Sequence, residues 1–302
     1  MLLSDGALSQ LCRPFEAEAA NTITQLRLIL PVKMSRAAAR RCRSARMSDW
    51  NPNLYLKFAS ERTRAARDLL AEVPLASAGL IYDLGCGPGN SAALLSQRFP
   101  VARIVGLDTS EAMLADARTR VPQARFIKQD IANWSPDEPP DLIFANAALH
   151  FLPEHDRLFP RLASYLAPRG VLAAQMPSTA SESSHALMRM IAAEGPWSSR
   201  LLPIAKTQPL IAEYEDYYEW LRPFASRVDM WMTTYLHPLD GPQGIADWFE
   251  GSALQPFLER LDDDERCAFL ARYRDGLKQS YPLRSDGKAL LAYPRLFIVA
   301  IQ

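Results

Sequence analysis

The sequence predicts a doubly wound α/β fold, an open and mostly parallel sheet with helices on both faces. Three observations lead there. Short apolar runs alternate with amphipathic stretches through the middle of the chain, three glycines stand on alternate positions between the first such run and the next helix, and each early run leads into an acid.

Apolar residues at Ala65, Leu69, Leu70 and Val73 recur at helical spacing, so a helix over 60–73 precedes the first strand. "LIYDLG" is a strand ending in Asp and Gly, "NSAALLSQRF" an amphipathic helix, "RIVGLD" the second strand, and "SEAMLADARTRV" a helix opened by a Ser. "RFIKQD", "DLIFANA" and "GVLAAQM" read as further strands, with the helix "HDRLFPRLASYL" between the last two. Strands and helices taking turns in this way make right-handed βαβ units. Ligands of such sheets bind at the carboxyl ends of the strands, and the first three strands end there in Asp83, Asp108 and Asp130.

Composition bounds the rest. The 302 residues are 48% hydrophobic and 23% charged, ordinary for a globular chain of one large domain. Lys+Arg and Asp+Glu both total 34, which argues against nucleic acid as the main partner. The balance is uneven, since residues 1–46 carry a net charge of +5 and the remainder −5. The Arg- and Ala-rich stretch "KMSRAAARRCRSARM" therefore reads as an N-terminal extension, and 47–302 as the folded domain. The extension is either a targeting peptide or a tail translated from an upstream start, with the second reading favoured because "MSDWNPNLY" begins so cleanly at Met47. No apolar run approaches the roughly 20 residues a membrane span needs. Cys12, Cys42, Cys86 and Cys267 have no paired or metal-like spacing, so a reduced, cytoplasmic, metal-free protein is expected.

Gly85, Gly87 and Gly89 allow a strand to turn sharply into a helix and let a ligand approach the backbone closely. A nicotinamide-binding turn would also want an acid after the second strand, but its third glycine would fall on position 90, which is Asn. The order Asp-x-Gly-x-Gly-x-Gly with the later acids resembles the class I S-adenosylmethionine-dependent methyltransferases, whose Rossmann-like fold has seven strands. The resemblance implies S-adenosylmethionine as cofactor, with Asp108 on the ribose hydroxyls, Asp130 and the backbone of Ile131 at the adenine, and Asp83 with Asn146 at the methionine end. Cys86 reads as a small buried filler.

After the fourth strand the chain reads "NAALHFL", with neither the Asn-Pro-Pro-Tyr-like motif of enzymes that methylate base amines nor a Pro-Cys pair, so a small-molecule O-, N- or S-acceptor is expected, with protein acceptors as the second choice. "MSDWNPNLYLKFASERTR", "QDIANWSP", "DLIFANAALHFLPEH", "VDMWMTTYLH" and "LLAYPRLFIVA" together resemble the trans-aconitate 2-methyltransferase family. That resemblance implies a tricarboxylate substrate esterified on one carboxylate, and a last strand antiparallel to its neighbours. Other small acceptors, and a non-catalytic S-adenosylmethionine-binding protein, are the alternatives.

A tricarboxylate needs cations, and the planar fork of Arg suits carboxylate. Arg295, within an apolar final strand, points either to solvent or into a cleft, and Tyr293 shares its strand face. Arg272 lies on a helix of a late insert. Trp50, with Asn51, is either part of a lid or a hydrophobic anchor, and His150 either orients a substrate carboxylate or packs. His155, His185 and His237 carry no pattern of their own. Helical inserts near 178–227 and 239–285 are expected over the carboxyl ends of the strands, where a substrate lid belongs.

Overall fold

Near-continuous apolar runs suit strands covered on both faces. In a computed structural model, which describes residues 58–207 and 211–302, all five residues of β1 (Leu80–Leu84) are buried. The other strands are β2 (Arg103–Asp108), β3 (Arg125–Lys128), β4 (Leu142–Asn146), β5 (Val171–Pro177), β6 (Arg227–Leu239) and β7 (Ala289–Ile301). They form one seven-stranded sheet in the order β3-β2-β1-β4-β5-β7-β6. β1 to β5 run parallel, and β7 lies antiparallel to both β5 and β6. The chain winds from β1 outward to β3 and then resumes at β4 on the other side of β1. The topological switch point therefore falls between β1 and β4, where ligands of such sheets bind.

The period of two sorts side chains onto two layers. Tyr82, Leu84, Ile143, Ala145, Ala174 and Ile298 face α4 (His155–Ser164) and α7 (Tyr214–Leu221). Ile81, Phe144, Ala173 and Phe297 face α1 (Ala59–Ala71), α2 (Asn90–Arg98) and α3 (Glu111–Arg120). The hydroxyl of Ser110 accepts a hydrogen bond from Met113 N and so caps α3.

A third core belongs to the inserts. α5 (Ser183–Ala193), α6 (Ser198–Thr207), α8 (Gly241–Glu250), α9 (Gln255–Leu258) and α10 (Asp263–Ser280) pack through Leu187, Trp197, Ile245, Phe257 and Phe269. Asp262 and Glu265 form a reciprocal capping box at the start of α10. The last β5–β7 pair is Pro177↔Arg295. Beyond it β7 pairs with β6 alone, and Leu239, Ala289 and Leu291 enter the insert core. Tyr293 and Arg295 thus stand where the final strand leaves the sheet for the inserts. Residues 1–46, Trp50 and Asn51 lie outside the described residues, and with them the extension and that part of the expected lid.

Candidate active site

The turn from β1 into α2 requires its glycines. Gly85 has φ +68°, and a Cβ there would lie 2.4 Å from the Cβ of Ala148, the residue before the 3₁₀ turn Leu149–Phe151 that follows β4. Gly89, at φ +83°, would bring a Cβ 3.0 Å from Ala117 Cα on α3. So threaded, the turn presses against β2: Gly85 N and Cys86 N donate to Leu107 O, and Gly87 N donates to Asp108 Oδ2 at 2.9 Å. Ser110 N donates to Asp108 Oδ1, also at 2.9 Å. Two backbone donors hold this carboxylate at the cavity wall, with lone pairs left for a ligand.

Asp83 is placed differently from the sequence expectation. It is wholly buried beneath the turn and forms no part of the cavity wall; its Oδ2 accepts from Ser91 Oγ at 2.7 Å, while Oδ1 has no hydrogen-bond partner. Burial raises its carboxyl group to about 7, against the lowering effect of the Ser91 hydrogen bond. Asn146, at the end of β4, does line the cavity, and its Oδ1 is likewise without a partner. Asp130 lies two residues past β3, where its Oδ1 accepts from Ala132 N and caps the 3₁₀ turn Ile131–Asn133. Arg161 of α4 donates to the carbonyls of Ile131 and Ala132 and fixes that turn. Gly89 is not among the residues that line the cavity. Cys86 reaches the wall, but burial raises its thiol, which leaves it a poor nucleophile.

A single cavity of about 630 Å³ runs from this half to Tyr293, Arg295 and His150, and one wall is closed by Trp248, Ser252 and Gln255 of the α8–α9 region. Arg295 turns into the cleft and is only 3% exposed. Its Nη1 donates to Gln175 Oε1 at 3.0 Å, and its guanidinium lies 4.7 Å from the centre of the Tyr293 ring and 5.8 Å from that of Tyr235. Tyr235 in turn donates to Asp68 of α1 at 2.7 Å, which ties the arginine's aromatic bed to the helix opposite. His150 Nδ1 is enclosed and has no hydrogen-bond partner; burial, assisted by the charge of Arg295, holds its pKa down at about 3, so the ring is neutral.

Arg272 is the correction among the expected site residues. It projects from the flank of α10, donates to Glu194 at 2.8 Å, and lies 5.9 Å from the Trp197 ring, away from the cavity. The buried stripe Phe269, Leu270, Tyr273 and Leu277 sets the rotation of α10, and that rotation directs Arg272 to the α5–α6 junction. Sequence patterning does not single out Gln175 or Trp248 as site residues. A polar residue inside the buried run "VLAAQM" was the available signal for the first, whereas Trp248 is indistinguishable by period from any core residue of α8.

The donor half fits S-adenosylmethionine. The partnerless acceptor at Asn146 suits an ammonium group, Asp108 suits vicinal hydroxyls, and the buried side chain of Ile131 gives an apolar wall for a base. Among the described residues no helix is long and apolar enough to cross a membrane.

Comparison with known proteins agrees with this geometry. The family described as a methyltransferase domain matches residues 81–170. A trans-aconitate 2-methyltransferase from Variovorax paradoxus is 52% identical over 255 residues, 84% of this chain and 98% of that protein. Another from Methylobacterium nodulans is 52% identical over 254 residues, with the same shares covered, and one from Yersinia pestis is 50% identical. Among solved structures, the YcgJ protein of Bacillus subtilis superposes with a TM-score of 0.54 at 12% identity, over 79% of this chain and 98% of that one, a likeness of fold alone.

Proposed function

The chain belongs to the trans-aconitate 2-methyltransferase family, and from that premise we infer that it transfers a methyl group from S-adenosylmethionine to one carboxylate of trans-aconitate, giving the monomethyl ester and S-adenosylhomocysteine. We place the reaction in the cytoplasm, on a free small-molecule tricarboxylate. The observation that carries the reading is Arg295, a buried arginine facing the same cavity as the glycine turn.

The chemistry asks little of the protein by way of proton transfer. A carboxylate has a reference pKa near 4 and is already a nucleophile at neutral pH, so no general base is required. The neutral His150 is then free to donate a hydrogen bond, as Tyr293 can through its hydroxyl. Bound S-adenosylmethionine supplies a methyl group activated on a sulfonium. The residues of this chain supply alignment and a partly closed setting. Asp108 and Asn146 hold the donor, with Asp130 and Ile131 shaping the base end. Arg295 receives an acceptor carboxylate in two parallel hydrogen bonds, which leaves another carboxylate to face the donor's methyl group. Asp83 supports the turn from beneath through its hydrogen bond from Ser91. Trp248 excludes water from the acceptor side.

The test is the product. Incubation with both substrates should yield a species one methylene heavier than trans-aconitate, and Arg295→Ala should raise the acceptor KM about 100-fold while donor affinity stays within about twofold, since a charged hydrogen-bonded pair is worth about 3 kcal/mol. An ester formed as readily by the variant would refute the role of Arg295.

A further inference from the structure

β5 is buried throughout Val171–Met176, and its sole polar side chain in that run is Gln175, which has no solvent exposure. An amide in such a place costs free energy unless its hydrogen bonds are met. Only half of this one is met: Oε1 accepts from Arg295 Nη1 at 3.0 Å, whereas Nε2 has no partner. A Val or Leu would serve the sheet better, so the sheet does not explain the residue.

Register explains its reach. Gln175 pairs with Phe297 of β7, and Arg295 lies two residues from Phe297 on the same face, at the diagonal distance a long side chain spans. On its other side Gln175 pairs with Asn146 of β4. The amide therefore stands between the donor half of the cavity and its acceptor half.

We propose that Gln175 is a positioning residue for the acceptor, one that fixes the orientation of the Arg295 guanidinium through a hydrogen bond to an uncharged amide and adds no carboxylate of its own to compete with the substrate's. The inference rests on the reading of Arg295 as the carboxylate anchor. One Nη1 hydrogen bond to the amide and the stacking against Tyr293 restrict how the fork can turn. The neutrality of the partner is the essential feature. A carboxylate in the same position would form an ion pair with the guanidinium in a medium of low dielectric, and an incoming carboxylate would have to compete with it. Glu has the shape of Gln and differs in charge, whereas Met has nearly the same length and lacks the accepting oxygen. The two substitutions thus separate charge from orientation.

The experiment measures kcat and acceptor KM with trans-aconitate, donor affinity by calorimetry with S-adenosylhomocysteine, and the melting temperature, for Gln175→Met, Gln175→Glu and Arg295→Ala. Gln175→Met should raise the acceptor KM by about tenfold, the value of one charge-assisted hydrogen bond, and Gln175→Glu by more, with donor affinity within about twofold of the parent. A purely structural role would instead lower the melting temperature in both variants and weaken donor and acceptor together. Gln175→Glu with a KM at or below that of Gln175→Met overturns the inference, as does Gln175→Met with an unchanged KM. The Met variant decides the matter alone if the Glu variant does not fold. An Arg295→Ala enzyme with unchanged acceptor KM removes the anchor and this inference together; a raised KM there with none in the Gln175 variants removes the inference only.

Discussion

Replacing Gly85 by Ala sets two local penalties against each other at the heart of the donor site. The residue sits at φ +68°, where an L side chain costs about 1–2 kcal/mol, and the new Cβ would lie 2.4 Å from Ala148 Cβ, an overlap of the kind that costs about 1–3 kcal/mol when neighbours must shift. The expected loss is about 2–5 kcal/mol. It should appear as lower stability to denaturant, weaker S-adenosylhomocysteine binding, or both, because the turn can relieve the overlap only by moving off Leu107 O, to which Gly85 N donates at 2.8 Å. The second substitution separates the terms. Ala148→Gly removes the atom that is struck and leaves φ at position 85 unchanged, so the double variant should recover the overlap share and retain about 1–2 kcal/mol. Urea unfolding and calorimetry on the four members of the cycle measure this. A double variant no better than Gly85→Ala would refute the contact argument, and a fully restored one would refute the backbone argument.

Other outcomes follow from the same geometry. Asp108→Ala removes the carboxylate on which Gly87 N and Ser110 N converge, and should weaken donor binding by about 100-fold in calorimetry while the far-ultraviolet spectrum stays unchanged. Because His150 is held neutral with its pKa near 3, and a carboxylate acceptor needs no base, any acid limb of kcat near pH 7 should survive His150→Gln, since the Asp83 carboxyl beneath the turn titrates at about 7; a limb that vanishes with His150→Gln would show that the imidazole takes part. Burial lowers the pKa of His185 to about 4, so the unfolded chain, with its pKa near 6.5, binds the extra proton between those values, and this group withdraws stability as pH falls below 6.5. His185→Gln, which lacks that penalty, should therefore gain on the parent by about 2 kcal/mol between pH 7.5 and pH 5, read by urea unfolding at both; a stability difference independent of pH would contradict the assignment.

Sequence carried the fold well because its signals are local. The five parallel strands and the helices between them follow from period and punctuation, and the glycine turn with Asp108 needed only neighbouring residues. The seventh strand's antiparallel course came from family likeness, since nothing in "LLAYPRLFIVA" fixes its direction. The acceptor half was harder to read. Arg295 and Gln175 are 120 positions apart and meet only through the β5–β7 register, and which way Arg295 turned depended on the partner it found there. Asp83 belongs to the motif, but its burial beneath the turn, where it accepts from the hydroxyl of Ser91 eight residues on, is set by the fold. Arg272 failed as a site residue for a rotational reason, because the core-facing stripe of α10 directs it outward.

The central claim is tested most directly by initial rates of methyl transfer from S-adenosylmethionine to trans-aconitate, cis-aconitate, citrate and isocitrate, with the ester followed by mass. The account predicts saturable turnover with every acid that forms ester and the highest kcat/KM with trans-aconitate. Donor binding without ester on any of the four acids would contradict it.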